Sequence, residues 1–490
     1  MVYRKNWFDY VLWAAYAGIC VMLLAYVGKH IYAFYVGASL TKLGTFLPFP
    51  ILLCLYPGIR LSSQAIRKKV HFSAHTAAMA ESLLISVSFV FGLILRLRAG
   101  FFMVGHGAAQ APQPGEYYEM ALVRAGAESP ALAHGLSDLF VRALRVVFSF
   151  LGNGMMAAIL FQIFLQMLTL LFAYLAVRKA AGRFAACTVL LLLAFSDAFI
   201  CKIYVIDPEC MLLAVLLVGL CLVLGFVKAS LLGRNGFGGL ARAVLLGIVL
   251  GVLCYLEWAM AILFLFLAGL FTGKLSADGG RKPLVGSLFL VLAGSAAGFF
   301  CAIGIDASLS GVGFYEGLMQ WIRPYSNLGM GARIFSVIGM EYPFFAVLFL
   351  LASFLGFEFI RGGREQDFSL WILPCILLAP VFLMDFSIVG LGGAVTFFWS
   401  VLAALGLKNA VFGGQAEVLR EKIEEINAAA APIPVAEVPV TAAVEKPRFL
   451  ENPLPLPKKH VKREMDYDYE VAEADMHYQM EIAEGDDFDR

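Results

Sequence analysis

Apolar runs of about 20 residues, the length of a helix that spans a bilayer's hydrocarbon core, recur along most of this chain. That recurrence narrows the folds open to it more than any other feature. Strands of a transmembrane barrel alternate in segments of about ten residues, and the long uninterrupted runs here do not alternate. The chain is 61% hydrophobic and 15% charged, against about 45–50% and about 25% in soluble domains. The fold class read from these facts is all-α, a polytopic helical membrane protein.

Twelve helices are predicted, at 10–28, 43–59, 77–98, 152–177, 184–201, 208–227, 242–256, 258–273, 284–305, 335–360, 369–385 and 388–409. Arg4 and Lys5 precede the first run, but Val27-Gly28-Lys29-His30 is a poor cleavage site, so that run reads as a retained helix. With the N-terminus inside, every even-numbered helix ends in a basic cluster. These are Arg60 with Arg67, Lys68 and Lys69; Arg178 with Lys179 and Arg183; Lys228 with Arg234 and Arg242; Lys274 with Arg281 and Lys282; and Arg361 with Arg364. The positive-inside rule then places both termini in the cytoplasm of a multi-pass plasma-membrane protein. Leu256-Glu257-Trp258 reads as a tight turn or as a break within one element.

Three regions follow. Residues 1–76 form a two-helix addition, 77–412 the transmembrane core with a long outside loop over 99–151, and 413–490 a cytosolic tail. The tail has one short helical stretch, Glu417 to Asn427, then Pro-rich basic and acidic Tyr-containing blocks. Its low hydrophobicity and charge blocks read as mostly disordered and suited to cytosolic protein partners. No nucleotide-binding loop is present, and nothing points to nucleic acid. The nine cysteines are scattered with no CxxC pair, which reads as small buried apolar residues.

Chemistry is expected on the outer face. The string Gly115-Glu116-Tyr117-Tyr118-Glu119-Met120 puts acids and aromatics between apolar helices. An amphipathic stretch follows, with Leu139, Phe140, Ala143, Leu144, Val147 and Phe148 apolar and Asp138, Arg142 and Arg145 charged, which suits an interfacial helix. Asp207-Pro208-Glu209 is a sound helix start. Sugar transfer from a polyprenyl phosphate needs a base near the acceptor hydroxyl and cations at the leaving phosphate. Glu116, Glu119 and Asp207 are the candidate catalytic acids. Lys202, Arg323, Arg142 and Arg145 are the candidate phosphate partners, Tyr117 and Tyr118 the stacking surface, and Glu209 a further binding acid. Each has a plainer reading as a solvated loop acid, helix cap, lipid anchor or interfacial aromatic. His106 and His134 read as loop histidines.

The order of these elements over residues 101–224 resembles the GT-C superfamily of integral-membrane glycosyltransferases. The resemblance is to its polyprenyl-phosphate-sugar mannosyltransferase-like and aminoarabinose transferase-like branches. It is carried by GEYYEMA, the stretch Ser137 to Phe150, Gly152-Asn153, Val177 to Arg183, and Asp207-Pro208-Glu209. It implies a polyprenyl-phosphate sugar donor and a cell-envelope acceptor in a bacterial membrane; no cofactor is certain, and Asp207 and Glu209 would hold a divalent metal if one is used. The family's leading Asp falls at Gly115. The base is then Glu116 or Glu119, or the chain keeps the fold without the activity. The rival readings are a twelve-helix transporter or lipid flippase, and a non-catalytic membrane scaffold.

Overall fold

A computed structural model describes residues 7–36, 46–69, 74–105, 116–122, 135–204, 206–231, 237–264, 266–267, 281–309, 311–326, 342–360, 393–394 and 396–412. Among these every regular element is helical and none is a strand. The helices are α1 (Trp7–Val36), α2 (Pro48–Lys69), α3 (Ala74–Gly105), α4 (Glu116–Leu122), α5 (Leu136–Leu151), α6 (Met155–Ala181) and α7 (Arg183–Ala194). They continue with α8 (Glu209–Leu231), α9 (Phe237–Leu256), α10 (Arg281–Leu309), α11 (Phe314–Ser326) and α12 (Tyr342–Ile360), and α13 (Thr396–Phe412).

Five helical segments are long and apolar enough to cross a bilayer: Ala78–Phe101, Met155–Ala181, Glu209–Phe226, Gly238–Leu256 and Gly286–Ser308. Shorter apolar helices fall at Trp13–Lys29, Arg183–Ala194, Ala346–Phe357 and Thr396–Phe412. Twelve full spans are therefore not seen among the described residues. The expected helix at 369–385 lies outside them, as do all of 268–280 and the whole tail from 413. One shortfall has a local cause. The expected helix 184–201 stops at Ala194 after 12 residues, about 18 Å at the α-helical rise.

Helix directions follow from side-chain contacts. Glu81 meets Arg183, and Arg96 meets Leu193 and Ala194, so α3 and α7 run the same way. Glu81 also meets Tyr174 and Arg178 while Arg96 meets Gln166, so α6 runs against α3. Gln162 meets Asp207 and Cys221 meets Phe172, making α8 parallel to α6. The start of α13 adjoins Glu209 and its end adjoins Ala181 and Phe184, so it follows the same course. These are the relative directions the alternation of basic clusters requires. The end carrying α4 and α5 is called outer below, after that charge pattern.

The tightest helix pair is α9 with α10. Gly247 and Gly251 face Gly294 and Gly298, two GxxxG strings in parallel. A Cβ added at Gly251 would sit 2.0 Å from Ser295 O, and one at Gly247 2.3 Å from Val291 O. Only glycine permits backbones this close, which is how helices gain packing contacts where lipid offers no hydrophobic drive. A large apolar core joins α1, α6, α7, α8, α12 and α13. A smaller outer cluster joins α4 and α5 to Ile203, Ile206 and Cys210.

Candidate functional site

The outer half of the bundle is organised by the broken stretch after Ala194, which holds a single α-helical turn, Asp197–Ile200, and a 3-10 turn, Cys201–Tyr204, before α8 begins. Its sequence, Phe195 to Pro208, is largely apolar and reads locally as more helix. What ends α7 is a residue on another helix. Arg96 of α3, fully buried, donates to the terminal carbonyls of α7, Ala194 O at 3.0 Å and Leu193 O at 3.3 Å. Its Nε donates to Gln166 Oε1 at 2.7 Å, and Gln166 Nε2 donates to Phe199 O at 2.7 Å. The guanidinium also lies 5.5 Å from the centroid of the Phe199 ring. Where a helix breaks inside an apolar bundle, its open carbonyls need partners from the protein, and this Arg–Gln pair supplies them. Ser196 Oγ adds another by accepting the Phe199 N–H at 3.2 Å.

Three of the sequence-selected residues meet where the stretch re-enters helix. Asp207 Oδ1 accepts the Glu209 N–H at 3.0 Å. With Pro208 between them, this is an N-cap over a proline-led first turn. Gln162 Nε2 fixes the Asp207 carbonyl at 2.8 Å. Glu209, buried, receives Lys202 Nζ at 2.9 Å on one oxygen and the Gly393 N–H at 2.9 Å on the other. One carboxylate thereby ties the turn to the chain just ahead of α13. Gln162 is seven residues into α6, so the cluster lies about 10 Å below that helix's outer end.

Burial pushes the Asp207 carboxyl up to about 6, with the Glu209 charge adding to the rise and the Glu209 N–H and Lys202 opposing it. Burial alone would push Lys202 down. The Glu209 carboxylate, its hydrogen bond and Asp207 outweigh that and leave the ammonium above its ordinary value. The turn thus pairs a carboxyl that titrates near neutrality with a firmly charged cation, whose side chain is 38% exposed. Glu209 commits its oxygens to an ammonium and a backbone N–H. It does not offer Asp207 a second free carboxylate for a divalent metal, and no group of three metal-ligating side chains occurs among the described residues.

Above the turn lies a two-helix cap. Tyr118 is buried, packs edge-on against Phe148 and donates to Asn153 O at 2.9 Å. Tyr117 packs edge-on against Phe140. Arg145 donates to Met120 O at 2.8 Å and so closes the end of α4. Arg142, well exposed, pairs with Asp138 at 2.7 Å one turn away, and Glu119 is exposed. Glu116 is the first residue of α4 and Arg323 lies on α11. On α5 the buried face is Leu136, Phe140, Val141, Leu144 and Phe148, and Leu139, expected to be apolar-facing, is 40% exposed. Gly115, His106 and His134 lie outside the described residues. The structure therefore brings Lys202, Asp207 and Glu209 together and packs Tyr117, Tyr118 and Arg145 into the cap. Glu119 and Arg142 face solvent.

No known family model matches the sequence, and no curated protein does. Two solved structures share a slight likeness. One is the archaeal oligosaccharyltransferase AglB from Archaeoglobus fulgidus in complex with an inhibitory peptide and a dolichol-phosphate. It is 13% identical with a TM-score of 0.42, over 71% of this chain and 52% of that one. The other is an Archaeoglobus fulgidus oligosaccharyltransferase in complex with Zn and sulfate, 14% identical with a TM-score of 0.39, over 69% and 51%. The chain spans about half the length of either. A likeness this slight decides neither the details of the fold nor the activity.

Sequence reasoning passed over Arg96, Gln162, Gln166 and Gly393. The first three carried a readable signal. Each is a polar residue inside an apolar run, and such residues face the bundle interior and mark functional paths. Gly393 carried none, because its role depends on where α13 begins.

Proposed function

We propose that this chain is an integral-membrane glycosyltransferase of the GT-C type, acting on the outer face of the plasma membrane. It moves a sugar from a polyprenyl-phosphate donor to a cell-envelope acceptor. The observation that carries the reading is the turn in which Asp207 caps the helix that starts at Glu209 while Glu209 holds Lys202 at 2.9 Å, with burial lifting the Asp207 carboxyl to about 6. A general base works best when its pKa lies near the operating pH. Asp207 takes the proton of the acceptor hydroxyl as its oxygen bonds to the anomeric carbon. The bond from that carbon to the phosphate oxygen breaks, and Lys202 stabilises the departing polyprenyl phosphate. Glu209 holds Lys202 in place. Glu116, on the first turn of α4, orients the acceptor with Glu119 beside it, and Arg323 is a further partner for the phosphate, while Tyr117, Tyr118 and Arg145 hold the cap together and Arg142 stays with Asp138.

The test is transfer of labelled sugar from a polyprenyl-phosphate donor by the full chain in proteoliposomes. Asp207→Asn is expected to lower kcat by about a hundredfold, the scale of a lost acid–base group, and Glu116→Gln by up to about a hundredfold through misplacement of the acceptor. Full activity in both variants sinks the residue roles. Movement of the lipid between leaflets without sugar transfer would favour a flippase.

A further inference from the structure

Away from the Lys202–Glu209 turn, a concave surface lies between α9 and α10. It is a trough of about 480 Å3 walled by Ile248, Val252, Ala297, Cys301, Ala302 and Ile305, with Tyr255 and Asp306 at its outer end. Its volume falls within the range of about 300–1,000 Å3 typical of small-molecule sites. Gly298 on its floor packs against Ile248 backbone, so the trough is deep because no side chain rises there. Both walls belong to helices of membrane length, and Cys301 and Ile305 are exposed. In a bilayer such an apolar trough opens onto hydrocarbon.

Polar groups gather only at the outer end of this lining. The Tyr255 hydroxyl and the Asp306 carboxyl line this end together, and Asp306 and Asp138 both act on Tyr255 electrostatically. Asp138 is itself paired with Arg142 at 2.7 Å. Trp321 Nε1 donates to Tyr255 O at 2.8 Å, bringing a further aromatic ring to the rim. Two carboxylates against one guanidinium leave this mouth negative, which repels a phosphate head. A carboxylate accepts hydrogen bonds and donates none, so the mouth suits a head rich in hydroxyl donors. Asp138 also sets the mouth beside α5, whose other face carries Phe140 into the apolar cluster with Ile203 and Ile206.

We propose that the α9–α10 trough holds the hydrocarbon chain of a neutral glycolipid, with its sugar head at Tyr255 and Asp306, and that this lipid is the glycosyl acceptor. The acceptor role rests on the transferase reading; the binding site does not. The phosphate-bearing donor meets Lys202, and the uncharged acceptor approaches from the acid-lined side.

Lipid retention by the purified full chain in detergent is measured by native mass spectrometry, without donor, using a diglucosyl diacylglycerol, a phosphatidylglycerol and a plain diacylglycerol of matched chains. The glycolipid is expected to be retained at least tenfold over phosphatidylglycerol. Ala302→Trp, which fills the trough, should lower retention of glycolipid and diacylglycerol about tenfold. Asp306→Asn, which changes no volume, should lower glycolipid retention severalfold and leave diacylglycerol unchanged. Equal retention of phosphatidylglycerol overturns the proposal, as does wild-type retention in both variants. A glycolipid that is retained as expected but receives no sugar when donor is added leaves the site standing and removes the acceptor role.

Discussion

Replacing Asp207 with asparagine should make the folded chain more stable at alkaline pH while removing its activity. The Asp207 carboxyl rises from 3.8 to about 6 because it is buried beside Glu209. A folded-state pKa above the unfolded one means that the native state holds the proton more tightly. Stability is then greatest below about pH 4, falls as pH rises through about 6, and stays level above that. A rise of roughly two units corresponds to about 3 kcal/mol at the alkaline plateau. Asp207 is only partly buried, which reduces the figure to about 1–3 kcal/mol. Asparagine caps a helix about as well as aspartate, so the Glu209 N–H keeps an acceptor and the ionisation cost is removed almost alone. Unfolding of wild type and Asp207→Asn would be followed in one detergent system from pH 4 to 8. The variant should match wild type near pH 4 and exceed it at pH 8. A gap that is absent at pH 8, or that widens toward acid, refutes the placement of this carboxyl.

Other consequences follow from single contacts. Arg96→Met leaves the carbonyls of Leu193 and Ala194 and the Gln166 Oε1 without their donor. It should cost about 2–4 kcal/mol, since orphaned buried acceptors cost about 1–3 kcal/mol each and loss of a buried charge offsets part of that; denaturant unfolding in micelles measures it. Gly251→Leu drives a side chain into Ser295 O, 2.0 Å from the new Cβ, and should abolish recovery of monodisperse protein. Gly225→Ala, with nothing within 4 Å of its Cβ, should behave as wild type in the same purification. Tyr118→Phe removes the donor to Asn153 O and should lower stability by about 1 kcal/mol, seen as a small fall in melting temperature with the α4–α5 cap still packed.

Much of this architecture was legible because lipid imposes simple rules. The apolar periods placed α3, α6, α8, α9 and α10 within a few residues, and the amphipathic pattern located α5. Elements governed by distant partners were not legible. The basic stretch from Arg60 to Lys69 looked like a loop, yet α2 continues through it to Lys69, with Arg60 buried and bonded to the Tyr56 hydroxyl at 3.4 Å. The run after Ala194 looked like one continuous helix, yet it breaks at Phe195 and resumes as the short turns Asp197–Ile200 and Cys201–Tyr204, and Arg96 and Gln166, far away in sequence, take up the backbone groups this frees. In the candidate site, Asp207-Pro208-Glu209 announced a helix start. Nothing local announced that Glu209 would bridge Lys202 and Gly393. The two GxxxG strings were present in the sequence but gained meaning only once α9 and α10 were seen to be parallel neighbours.

The central claim is that the turn bearing Lys202 and Asp207 is a sugar-transfer site. Single-turnover transfer from a labelled polyprenyl-phosphate sugar, compared between wild type, Asp207→Asn and Lys202→Met in proteoliposomes, tests it most directly. The account predicts transfer by wild type, a rate lower by about a hundredfold in each variant, and a wild-type rate that rises with pH through about 6 as Asp207 ionises. Transfer by both variants at the wild-type rate would contradict it.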